Sequence, residues 1–167
     1  MLALLAIEGE RSGYDLLKLA RKSIGHVWSP AKTQLYAVLP RLVADGVATQ
    51  RVVVQANRPD KQLYRITAAG RAALQDWLDR PEPGARQAFY LRLFVGGLAD
   101  PDALIAHVEQ FRVEVKERLA DLREIEPTNT RTGNDAYHFF LLELGIDEAE
   151  LELRWADHVL RTLKRRR

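Results

Sequence analysis

At Gly46 the hydrophobic period of this chain changes, and that switch limits the fold more than any other feature. Upstream, apolar residues recur every three or four positions, as on one side of a helix. Leu2, Leu5 and Ala6 form one such set, interrupted by Gly9. Ser12 is placed to cap a second helix, Gly13 to about Ser23, in which Tyr14, Leu17 and Ala20 or Arg21 fall at helical spacing. Downstream, Val52-Val53-Val54 and Leu63-Tyr64-Arg65-Ile66 favour strand, and Asn57, Pro59 and Asp60 between them favour a turn. Thr67 can cap a further helix, whose apolar members are Ala72, Leu74, Trp77 and Leu78.

The segment directly before the switch, Ser29 to Gly46, reads as a third helix. Ser29 suits its cap, Pro30 its first position and Gly46 its end. Trp28 is placed to staple the start of that helix. At 100° per residue Leu35, Val38, Leu39 and Leu42 gather on one side. Thr33, Tyr36, Ala37 and Arg41 fall on the other, with Gln34 at the border and Lys32 in the first turn. A helix that enters a major groove by its N-terminal half needs hydrogen-bonding and cationic groups there. An ordinary amphipathic helix with a solvated polar face has the same pattern. The surrounding order separates the two readings: three helices, a two-stranded hairpin and a helix make a winged helix-turn-helix domain. Lys32, Thr33, Gln34 and Tyr36 are then expected at the groove, and Arg41, Arg58 and Lys61 at phosphates.

Charge agrees with that placement. Residues 1–78 hold 11 Lys and Arg against 6 Asp and Glu, whereas residues 79–167 hold 14 against 17. A basic first half suits an anionic partner. The chain has no cysteine, which removes disulfides and thiolate chemistry and is compatible with the cytoplasm. The four histidines, His26, His107, His138 and His158, lack zinc-motif spacing, and no phosphate loop or GxSxG is present. These absences argue against an enzyme, a metal site or a cofactor. The apolar start is too short to span a bilayer, so no membrane partner is expected.

The first 78 residues resemble the PadR family of bacterial transcriptional regulators. The resemblance rests on Leu2-Ala-Leu-Leu-Ala6, Ser12-Gly-Tyr-Asp-Leu16, Gln34-Leu-Tyr36, Arg41-Leu42, Gly46-Val47 and Tyr64-Arg-Ile-Thr-Ala-Ala-Gly-Arg-Ala-Ala-Leu74 with Trp77-Leu78. It implies that Tyr36 contacts DNA, that the protein represses transcription as a homodimer, and that a small ligand, with aromatic inducers as precedents, relieves repression by acting between the domains. The family often has proline directly after the tyrosine. Here Ala37 stands there and Pro40 lies within the helix, which predicts a kink or a helix divided into two parts.

The remaining chain reads as helical and resembles the C-terminal dimerisation domain of longer PadR members. Expected boundaries are a DNA-binding domain at 1–79, a short linker at 80–85 and a helical domain at 86–167. Leu104, Val108, Phe111, Val115, Leu119 and Leu122 form a near-heptad seam on a helix starting at Pro101. Tyr137, Phe140, Leu144, Leu151 and Trp155 mark one face of a last helix that keeps phase through Gly145. Two helices about 40 Å long at 1.5 Å per residue carry more apolar surface than they can cover alone, so these eleven residues are expected at an interface with a second copy. Such a dimer would address an inverted-repeat operator in duplex DNA. Phe89, Tyr90, Phe94 and Phe111 add aromatic walls for a ligand, but core packing explains them equally, and no effector residue is assigned. A winged helix used as a protein-interaction module, without specific DNA binding, is the alternative function.

Overall fold

The computed structural model describes residues 1–25, 28, 30–55, 60–80, 86–128, 131–133 and 135–166. The elements run α1 Leu2–Glu8, β1 Arg11–Ser12, α2 Gly13–Ser23, α3 Lys32–Ala44, β2 Ala48–Val53, β3 Lys61–Ile66, α4 Ala68–Asp79, α5 Arg86–Phe94, α6 Pro101–Ile125 and α7 Asp135–Arg166. A 3-10 turn follows α5 at Gly96–Leu98, and another follows α6 at Glu126–Thr128. The protein is therefore mainly α-helical with a small sheet, a winged helix followed by long helices.

The chain divides into two compact units, one of Met1–Arg80 with Tyr90–Ala99 and one of Pro81–Phe89 with Asp100–Arg167. The expected boundary at 80–85 differs from this at one place, since Tyr90–Ala99 belongs with the first unit. Contacts explain why. Val95 is part of the first unit's core, and the Arg92 guanidinium lies 4.4 Å from the Trp77 ring centroid while its Nε donates to the Trp77 carbonyl at 3.1 Å.

In the first unit α1, α2, α3 and α4 share one core around Leu5, Leu16, Leu35, Leu39 and Leu78, each almost without exposure. The sheet has three antiparallel strands in the order β1-β3-β2, one more than the expected hairpin. Arg11 pairs with Tyr64 and Ser12 with Leu63. Two residues are too few to show a period of two, so β1 leaves no trace in the sequence pattern. Gly46 turns the chain from α3 into β2 at φ 71°, a conformation that favours glycine. Thr67 then ties the next corner: its hydroxyl donates to the Gly46 carbonyl at 2.8 Å and accepts from the Gly70 amide at 3.0 Å. Gly70 packs directly on the Val47 carbonyl, where a Cβ would collide.

Pro40 does not divide α3, which is continuous from Lys32 to Ala44. Its position is exposed, so the carbonyl of Tyr36, which lacks the usual amide partner, can be hydrated. The helix does begin later than expected. Ala31 is its N-cap, Pro30 precedes it, and Ser29 lies outside the described residues. Trp28 is consequently too far upstream to staple the helix start and instead packs, half-buried, against the core.

In the second unit α6 and α7 pair antiparallel, as Lys164 with Glu109 (2.8 Å), Arg112 with Asp157 (2.6 Å) and Arg123 with Glu150 (2.6 Å) show. Asp100 caps α6 by accepting from the amides of Asp102 and Ala103. Phe89 stacks on Phe111 at 4.2 Å, and Trp155 meets both rings edge-on at 6.0 Å. Gly145 keeps α7 in phase and admits Leu122, whose Cδ1 would lie 3.3 Å from an added Cβ.

Candidate nucleic-acid interface

The interface is built on the packing of α3 against α2. Leu35 and Leu39 are buried and Val38 and Leu42 half-buried, which leaves Lys32, Thr33, Gln34, Tyr36, Ala37, Pro40 and Arg41 exposed on one continuous side. Close approach of the two helices depends on Gly13, where a Cβ would stand 3.1 Å from both the Tyr36 ring and Leu39. That contact seats the Tyr36 ring beside the start of α2 while 43% of the residue stays exposed. The Lys32 ammonium lies 5.9 Å from the Tyr36 ring centroid, within cation–π range. Tyr64 sits nearby, its hydroxyl donating to Gln62 at 2.9 Å. Burial, with a smaller contribution from Tyr36, pushes the Tyr64 phenol up.

The start of α2 has a capping box. The Ser12 hydroxyl accepts from the Asp15 amide and donates to Asp15 Oδ2 at 2.7 Å, and the Ser12 amide donates to the same carboxylate. Lys61, at the start of β3, reaches Asp15 Oδ2 at 3.0 Å. The wing cation expected at phosphate is thus paired with Asp15 of α2. The Ser12 hydrogen bond first, and then Lys61, holds the Asp15 carboxyl below its ordinary value. Arg58, the other wing cation, lies outside the described residues. Arg41 is exposed in the last turn of α3.

Beneath α3 is an apolar cavity of about 290 Å³ within the first unit. Val38 and Leu42 from the rear of α3 line it together with Trp28, Trp77 and Phe94. Among the described residues no cluster of His, Asp and Glu could hold a metal ion. No helix among them is long and apolar enough to cross a membrane.

This geometry coincides with two family matches. Residues 1–76 match the model of the transcriptional regulator PadR-like family, and residues 85–164 match that of the virulence activator alpha C-term domain. The chain belongs to the PadR-like family of transcriptional regulators. Members of the PadR-like family are DNA-binding regulators, not enzymes. The chain is 29% identical to a probable transcriptional regulator of Mycobacterium tuberculosis, covering 96% of this chain and 94% of the relative. It is 25% identical to the negative transcriptional regulator PadR of Bacillus subtilis, over 92% and 90% respectively. A crystal structure of Bacillus subtilis PadR in complex with operator DNA aligns over 95% of this chain and 96% of that one, at 23% identity and a TM-score of 0.47.

Three exposed residues of the first unit outside α3 are not singled out in the sequence analysis. Tyr14 falls at helical spacing with Leu17, yet it is 65% exposed at the first turn of α2 while Leu16, Leu17 and Ala20 are buried. Arg51 on β2 and Arg65 on β3 share the outer face of the sheet, where both pair with Glu10. Alternation with Tyr64 and Ile66 is the available signal for Arg65, whereas β2, exposed from Thr49 to Val52, gives none for Arg51. The Arg51 hydrogen bond is the main reason the Glu10 carboxyl sits below its ordinary value.

The interface residues expected for a second copy separate into two groups. Leu104, Val108, Phe111, Val115 and Leu119 are buried within this chain, and Leu122 is half-buried against Gly145. Trp155 is half-buried in the aromatic cluster with Phe89. The seam of α6 is therefore covered by the chain's own α7, which corrects its assignment to a partner. Tyr137, Phe140, Leu144 and Leu151 remain 54–69% exposed, and Leu141 joins them at 70%. With Leu122 near the end of α6 opposite Gly145, about the first two turns of α7 extend past α6.

Proposed function

We propose that this chain is a homodimeric, ligand-responsive repressor that binds an inverted-repeat operator. The observation that carries the DNA reading is the exposed side of α3, where Lys32, Thr33, Gln34 and Tyr36 stand in the half that would enter a major groove. Arg41, Lys61 and Arg58 serve phosphates. The open stripe of α7 supports pairing with a second copy, because Tyr137, Phe140, Leu141 and Leu144 repeat at three- and four-residue steps and are exposed among the described residues. The name of the Bacillus subtilis relative, a negative regulator, supports repression over activation. The cavity behind α3 supports a small aromatic effector: its apolar lining suits a planar ring, and it reaches Val38 and Leu42 of the recognition helix itself. The protein acts on DNA in the cytoplasm.

Fluorescence anisotropy with the chain's own upstream DNA, against random duplex and with salt varied, tests this reading. Specific affinity in the range of roughly 10⁻⁸ to 10⁻¹¹ M, with a far weaker control, is expected. Equal, salt-sensitive binding to both duplexes would remove the operator from the proposal. No binding even at low salt would favour a protein-interaction module.

A further inference from the structure

Pro40 and the apolar cavity meet at one level of α3. Val38 and Leu42, one turn apart on the rear of the helix, line the cavity, and Trp28, Trp77 and Phe94 stand among its other walls. Tyr36 and Pro40, also one turn apart, lie on the exposed side. Proline has no amide hydrogen, so the Tyr36 carbonyl lacks its helical bond, and the proline ring crowds the same carbonyl. The backbone is thus one bond short on the solvent side at the level where the cavity meets the rear. A helix bends at such a place more readily than elsewhere along its length. On either side of that level, Leu35 and Leu39 hold α3 to the core.

We infer that α3 is hinged at Pro40, and that a small apolar aromatic ligand in the cavity re-aims the N-terminal half of the helix. The inference rests on the effector reading of this cavity and on α3 entering a major groove, both proposed above. A ring seated against Val38 and Leu42 presses on the two side chains that flank the weakened level. The half that tilts begins at Lys32 and carries Thr33, Gln34 and Tyr36. Their groove contacts would be hydrogen bonds, which weaken steeply with misalignment, so a small tilt is enough to lower operator affinity. The response then arises inside the winged unit, which holds both the cavity and α3, in contrast to the ligand position that the family resemblance implies.

The test uses the full chain, a duplex of its own upstream DNA carrying a red-emitting dye, and N-phenyl-1-naphthylamine, an uncharged aromatic that fluoresces in apolar surroundings. The probe should brighten with the unaltered protein. Ala73→Phe, at an exposed position of α4 that lines the cavity, should weaken probe binding at least about fivefold. With the probe bound, operator affinity of the unaltered protein should fall about fivefold to tenfold. Pro40→Ala restores the amide at an exposed position outside the cavity wall and should bind the probe as tightly. Its operator affinity, however, should change less than about twofold when the probe is added. Each variant is compared with itself, so a different affinity without probe does not enter the result. A Pro40→Ala response equal to that of the unaltered protein would overturn the hinge and leave the effector reading standing. An absent probe signal, a signal untouched by Ala73→Phe, or a bound probe without effect on operator affinity would overturn the inference together with the effector role of the cavity. An unaltered protein that binds no operator would remove the DNA reading and the inference together.

Discussion

The winged unit and the helical pair handle apolar surface in opposite ways. In the winged unit each amphipathic element finds its cover nearby: α1, α2, α3 and α4 meet on Leu5, Leu16, Leu35, Leu39 and Leu78, and the exposed side of α3 is left polar. In the second unit the buried seam of α6 is covered by α7 and by Phe89 of α5, but α7 at 32 residues outlasts α6 at 25 and keeps a bare apolar stripe. One region thus presents chemistry suited to a polyanion, the other chemistry suited to a second helix. The contrast teaches that an apolar face alone does not mark an interface. What matters is whether the same chain already covers it.

Substitutions can break that contrast, beginning with the largest effect. Leu39→Ala, at a position with no exposure, should cost about 2–5 kcal/mol of stability, read by chemical denaturation, and should abolish DNA binding as α3 loses its seat. The double change Phe140→Asp and Leu144→Asp should instead leave the folded protomer intact, since both side chains are solvent-exposed there. Sedimentation should then show a monomer in place of a dimer, with operator affinity reduced. If the two pairs of effects were exchanged, the division between a closed and an open region would be wrong.

Smaller effects sharpen the comparison on the winged side. Lys61→Ala should weaken binding to all duplexes alike and lower the slope of log affinity against log salt by about one. A change well below one would mean that the Asp15 ion pair persists in the complex. Acid should act more gently. Asp15 and Glu10 both have carboxyl groups depressed below their ordinary values of 3.8 and 4.5. Their contribution to stability is therefore complete above those values and disappears as pH falls through the depressed ones. Thermal melts from pH 6 down to pH 2 should show this loss, and Asp15→Asn should reduce it.

Much of the fold can be read in advance from particular residues. Ser12 and Thr67 cap the helices they were expected to cap, and α7 runs unbroken through Gly145. The misses share a cause. β1 is only two residues long, Ala31 replaces Ser29 as a cap, and Tyr14 turns outward from a helix whose period would accommodate it inside. Each is decided by what the rest of the chain places next to it. The same holds for Arg51 and Arg65, which alternation puts on one face but only Glu10 draws together.

Local pattern by itself determined the kind and order of the elements, the polar side of α3 and the length of the last helices. Periods of two and of three to four are properties of the backbone, and a side chain obeys them wherever its element lies. Tertiary structure alone decided that α7 covers the α6 seam and that Asp15 holds Lys61. These depend on distances between segments remote in sequence. Periodicity reports that a face is apolar or polar, but it carries no term for what stands opposite.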